Sequence, residues 1–185
     1  MSTLSRSTAR IENASNTALR RSIYARALGT PLRVEPAAPA KDGQPAVEIL
    51  IFERDFCPDV GDTDMGYVLI TSGLSDQAMA LDEDALEEGV SGRFELVWYV
   101  REPTAEILDS MRWLGRFPFT QQTWLGAGHT VKTPGPILAG SALTTWFLLP
   151  PIIDAEQQIV DSLRVDGESV ELLVVHLLTD AEYAL

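Results

Sequence analysis

Residues 93–118 read RFELVWYVREPTAEILDSMRWLGRFP, and the spacing of their apolar side chains changes half way. From 93 to 101, Phe94, Leu96, Trp98 and Val100 alternate with Glu95, Val97 and Tyr99, the period of two that a β-strand requires. After Pro103 and Thr104, which suit a helix start, Ile107, Leu108, Met111 and Leu114 recur every three to four residues and would share one helix face. Gly115 and Pro118 are expected to close that helix. A strand running straight into a helix rules out an all-β or all-α chain.

Working toward the N-terminus, 67–71 and 47–54 read as two more strands. In the earlier one Val47, Ile49 and Ile51 fall on one side and Leu50 and Phe52 on the other, so both faces are expected to be covered. Residues 34–45, with Pro36, Pro39, Lys41, Asp42, Gly43 and Pro45, form a connector. A helix fits 15–28, where Leu19, Ile23 and Ala27 would line one face before Gly29 and Pro31 end it. Toward the C-terminus, 142–149 is an apolar strand stopped by Pro150 and Pro151. Segments 162–165 and 169–177 flank Asp166-Gly167, a two-residue hairpin turn, and 180–185 suit a short helical turn. The order lacks the strict strand–helix alternation of a doubly wound sheet and has no internal repeat. The expectation is a single α+β domain over 13–185, a mixed, mainly antiparallel sheet packed with helices, behind a flexible tail at 1–12.

Of 185 residues, 45% are hydrophobic and 22% charged, as in a globular domain that needs no metal or disulfide to hold its core. Cys57 is the single cysteine, so no internal bridge can form. No apolar run approaches the roughly 20 residues that cross a bilayer, and residues 1–10 lack the apolar stretch of a secretory signal. A cytoplasmic protein without a membrane partner is expected. The formal charge of −13 disfavours nucleic acid and favours another protein, basic in character, as partner. That charge is uneven: residues 1–33 hold six arginines against Glu12, +5, while the rest holds 8 basic and 26 acidic residues, −18. Asp76, Asp82, Glu83, Asp84, Glu87 and Glu88 follow one another with no Lys or Arg among them. Such a block ordinarily keeps a protein in solution; docking a basic partner is its sharper reading.

Chemistry is sparse. His129 and His176 are the two imidazoles, and His176, between Val175 and Leu177 in a strand, reads as a structural histidine with satisfied hydrogen bonds. Cys57 has no sequence neighbour that would activate it except Arg54. No G-x-S-x-G elbow occurs, and Gly126-Ala127-Gly128 lacks the third glycine of a dinucleotide loop. Asp59, Asp62 and Asp64 invite a calcium reading, but a loop starting at Asp62 would have Tyr67 and Gly73 where glycine and glutamate belong. No catalytic residue, metal or cofactor is therefore expected. Two loops look more specified than packing requires: TSGLSDQAM at 71–79, and TWLGAGHTV at 123–131, which sets Trp124 and His129 around two glycines. The candidate binding surface is Asp76, Asp82, Glu83, Asp84, Glu87, Glu88, Trp124 and His129. An alternative is a small-molecule pocket or enzyme site formed by Asp76, Trp124 and His129.

Those two loops resemble the suppressor of fused family, in which T-x-G-[LM]-S-D-x-x-M precedes W-L-G-x-G-H-T after a helix that ends in an aromatic residue and proline, here Phe117-Pro118. The resemblance extends to Ile23, Tyr24, Gly29-Thr30-Pro31, Phe94-Glu95-Leu96-Val97, Leu148-Leu149-Pro150-Pro151 and Asp180-Ala181-Glu182-Tyr183. It implies a mixed α+β domain that binds another protein and has no catalytic centre. In animals the family member restrains transcription factors of the Hedgehog pathway, gripping an extended peptide between a domain like this one and a second domain that 185 residues do not accommodate. Bacterial single-domain relatives imply an immunity-type protein that neutralises a cognate toxin, and a regulatory scaffold that binds an extended peptide is the other alternative.

Overall fold

The computed structural model describes residues 3–37, 43–56 and 64–185. They form a seven-stranded sheet in the order β1 (Arg33–Glu35), β2 (Glu48–Asp55), β3 (Met65–Ser72), β4 (Phe94–Val100), β9 (Glu171–Thr179), β6 (Leu143–Leu149) and β5 (Thr130–Lys132). Only β4 and β9 run parallel; every other neighbouring pair is antiparallel. The α+β class and the mixed, mainly antiparallel sheet follow as expected. Cys57, Asp59 and Asp62 lie outside the described residues, and Asp64 pairs with Arg101.

The sheet is the middle of three layers because its central strands are apolar on both sides. Val47, Ile49, Ile51, Leu69, Phe94, Leu96 and Trp98 pack under α3 (Ala105–Gln121) through Leu108, Met111 and Leu114. Leu50, Phe52, Val68, Ile70 and Val97 meet α1 (Thr3–Leu28) and α4 (Asp154–Ser162) on the opposite side. Each large aliphatic side chain so buried contributes roughly 1.5–3 kcal/mol.

Several expectations are corrected. Helix α1 begins at Thr3, well before the Ser15 start expected from the apolar period. Its core face is Arg20, Ile23, Tyr24 and Leu28, while Leu19 is 42% exposed. The apolar period points to Leu19 instead because one buried position, Arg20, is charged. Helix α3 does not stop at Gly115 or Pro118 but runs on to Gln121. Gly115 serves packing: a Cβ there would lie 2.8 Å from a methyl of the fully buried Leu74. The stop is Gln122, in the left-handed region at φ 52°, with its N–H and that of Thr123 on the Pro118 carbonyl. Gln122→Gly is expected to raise stability by about 0.5–1 kcal/mol, seen as a higher urea midpoint, because glycine adopts that conformation without strain.

Asp166 and Gly167 do turn the chain, with φ of 54° and 86°. The arms, however, are the two-residue strands β7 (Arg164–Val165) and β8 (Glu168–Ser169). The apolar run after them is not the hairpin partner; as β9 it enters the sheet between β4 and β6, where both of its faces are covered. Helix α4 carries no apolar period, because it buries only Ala155, Glu156 and Ile159. Its N-terminus is set by Glu156, which accepts from the Ile152 and Ile153 N–H groups at 3.1 and 3.4 Å and from the Tyr99 hydroxyl at 2.7 Å. The three-residue edge strands β1 and β5 are too short to show a period.

Candidate functional site

The loop 71–79 is built around a buried ionic clasp. The Glu95 carboxylate, fully buried in β4, accepts from the Thr71 hydroxyl (2.7 Å), the Gly73 N–H (3.0 Å), the Ser75 N–H (3.1 Å) and the Ser75 hydroxyl (2.7 Å). From α1, the equally buried Arg20 guanidinium donates to the Ser72 and Ser75 hydroxyls at 2.9 and 3.2 Å. It also grips Asp76 through both carboxylate oxygens at 2.6 and 2.9 Å, and its Nε stands 3.7 Å from Glu95. Burial acts against the Arg20 charge, but Asp76 and Glu95 outweigh it and leave the guanidinium held above its ordinary pKa. Burial likewise pushes the Tyr24 phenol well up; its hydroxyl donates to the Thr71 carbonyl at 3.1 Å. Threonine, serine and glycine recur in this loop because each supplies a donor or room for a buried carboxylate. The clasp fixes α1 to the sheet; Asp76 belongs to it.

The second loop leans on the first. The Leu125 N–H meets the Met79 sulfur at 3.3 Å, and the Trp124 indole N–H donates to Asp82 at 3.0 Å. His129 packs against the Trp124 ring with centroids 4.2 Å apart. Gly128, at φ 87°, lets the chain turn so that its N–H reaches the Leu148 carbonyl at 2.7 Å. Asp82 also caps α2 (Glu83–Glu87) by accepting from the Ala85 N–H at 2.9 Å; this bond and the Trp124 indole hold its carboxyl below the usual range. Asp82, Trp124 and His129 therefore converge, whereas Asp76 turns to Arg20. Glu83, Asp84, Glu87 and Glu88 stand exposed on or beside α2.

A third feature lies at the far end of the sheet. The parallel ladder between β4 and β9 ends at Trp98 and Val175, yet β4 continues to Val100 against β3 and β9 continues to Thr179 against β6. The two strands part, and a cavity of about 360 Å³ fills the fork, lined by Trp98, Tyr99, Ile107, Leu143, His176 and Leu177. Among the described residues, no strand pairs with the edge that either arm turns toward this gap. His176, expected to be a satisfied structural histidine, is an exposed residue on this fork. Sequence reading missed the fork because it arises from strand order; the trace it leaves is that β9 has nine residues and β4 seven.

No curated protein matches the sequence. A crystal structure of a suppressor of fused homologue from Neisseria gonorrhoeae is similar, with a TM-score of 0.64 at 11% identity, over 92% of this chain and 81% of that one. Drosophila Suppressor of Fused is similar at a TM-score of 0.56 and 14% identity over 92% of this chain, which spans 42% of the Drosophila chain. These two likenesses concern the fold. The sequence model of the family described as suppressor of fused protein matches residues 43–185, and it is to this family that the chain belongs.

Proposed function

We propose that the protein is a non-enzymatic protein-binding domain that receives an extended segment of its partner as an added strand in the β4–β9 fork. The observation that carries this reading is the parting of the two strands beyond Trp98 and Val175 around a cavity with an apolar lining. Strand addition draws affinity from main-chain hydrogen bonds and specificity from pockets for alternate side chains. Val100 and Leu177 face the α3 layer and Tyr99 and His176 the other, so the incoming segment carries apolar side chains at alternate positions.

The partner in this reading is a basic protein, and the immunity-type version makes it a toxin domain neutralised by the complex. The −18 carried by residues 34–185 supports it, since such a field speeds encounter with a cationic protein. Co-expression with the toxin encoded beside its gene is expected to protect cells and yield a stable complex. In that complex, amide exchange at residues 99–100 and 176–178 slows by about tenfold or more as the added strand pairs with the two arms. Unchanged exchange there, with protection elsewhere, removes the fork from the interface; failure to bind any product of the gene neighbourhood removes the toxin.

A further inference from the structure

On the α3 side of the sheet, a groove of about 450 Å³ lies between the first half of that helix and the segment 133–137. Trp146 forms its floor; Trp113 lines it from α3, and Pro136 and Ile137 from the facing segment. Glu106 and Asp109 belong to the same lining, because they and Trp113 are spaced three and four residues apart and share one helix face. Trp113 is 47% exposed and stacks on Trp146 with the ring planes 22° apart. The facing segment is held in place: the Thr133 hydroxyl donates to the Thr144 carbonyl at 2.8 Å, the Ile137 N–H to the Leu143 carbonyl at 2.8 Å, and the Ala139 N–H to Glu106 Oε1 at 2.7 Å.

Three features select the occupant. Both carboxylates line the groove and no Lys or Arg does; the ion pair of Asp109, with Arg112 at 3.3 Å, lies within α3 itself. The open part of the Trp113 ring is a surface on which a guanidinium stacks. The Trp146 indole N–H is buried and meets no acceptor among the described residues, although a buried donor ordinarily finds one. We propose that this groove binds an arginine-bearing extended segment of the partner protein. The guanidinium lies on Trp113 and donates to Glu106 and Asp109, while a main-chain carbonyl of the segment accepts from Trp146. This assignment rests on the partner's being a basic protein. The groove adjoins the fork, since Ile107 and Leu138, which line the fork, follow Glu106 and Ile137 in the chain; one segment can therefore occupy both.

The probe is a blocked hexapeptide with one central arginine between apolar residues, titrated into the full chain beside its citrulline counterpart, which keeps the shape and loses the charge. Binding is read from the indole N–H resonances of the four tryptophans and from the backbone amides. The Trp113 and Trp146 indole signals are expected to move with amides 106–113 and 133–137, while that of Trp124 stays. Trp113→Leu weakens binding by about threefold, the scale of an exposed cation–π contact. Glu106→Gln combined with Asp109→Asn weakens it by about fivefold at low salt and flattens the salt dependence; glutamine at 106 still accepts from Ala139. Should the Trp113 variant fail to fold, the carboxylate pair, at exposed positions, decides. The proposal is overturned if the citrulline peptide binds equally, if either folded variant binds like the parent, if the shifts lie elsewhere, or if the free protein self-associates through the groove. The fork fails separately, by unchanged amide exchange at residues 99–100 and 176–178 in the partner complex.

Discussion

Arg20→Met is expected to destabilise the protein by about 3–5 kcal/mol, the range for removing one partner of a buried ion pair. Methionine keeps most of the volume and can pack, so the loss measures the polar network. It leaves the fully buried Glu95 charge without its cation and deprives the Ser72 and Ser75 hydroxyls and Asp76 of their donor. Asp76 can turn to water, since its side chain is 15% exposed; Glu95 cannot. Arg20→Lys is expected to recover only part, because an ammonium cannot grip Asp76 through two parallel bonds while also reaching Ser72. Urea unfolding of the single variants and of the double variant with Glu95→Gln gives the coupling energy. Coupling above about 1.5 kcal/mol is expected, and a loss below about 1 kcal/mol for Arg20→Met would show that the clasp does not hold α1. A domain of ordinary stability, about 5–15 kcal/mol, would lose between about a fifth and all of it.

What was legible in the sequence is what periodicity records. The alternation in β2 and β4 gave their faces, and the doubled apolar pattern of β2 announced a sheet covered on both sides. Pairing between distant residues leaves no such record. Glu95 reads as the polar side of a half-exposed strand; it is buried because Arg20, far away in the chain, answers its charge. For the same reason the apolar period of α1 points to Leu19, one position off the buried Arg20. The run of acids was plain, but not its division of labour: Asp76 closes the clasp and Asp82 caps α2 under Trp124, which leaves the glutamates and Asp84 exposed. The fork could not be read at all, because it depends on β9 crossing to lie beside β4.

Gly73→Ala is the second large effect, and it arises from the backbone. Gly73 sits at φ 124° and ψ −13°, a conformation that L residues rarely adopt and that costs about 1–3 kcal/mol. The space is also closed: a Cβ would lie 2.2 Å from the Ala46 carbonyl oxygen, a backbone atom at the entrance to β2 that cannot swing aside as a side chain would. Moving the glycine instead lengthens its N–H bond to Glu95 and loosens a carboxylate with nowhere else to turn. Strain plus one compromised buried bond, about 1–3 kcal/mol more, implies a total near 4 kcal/mol. The alanine variant is expected to unfold at markedly lower urea or to fail to accumulate. A semisynthetic chain with D-alanine at 73 separates the causes even if the L variant never folds. The D residue accepts positive φ and points its methyl away from the Ala46 carbonyl, so stability should return to within about 1 kcal/mol of the parent. Equal losses for both enantiomers would refute the argument from backbone conformation. They would place the requirement for glycine at 73 in bare space around the Glu95 carboxylate.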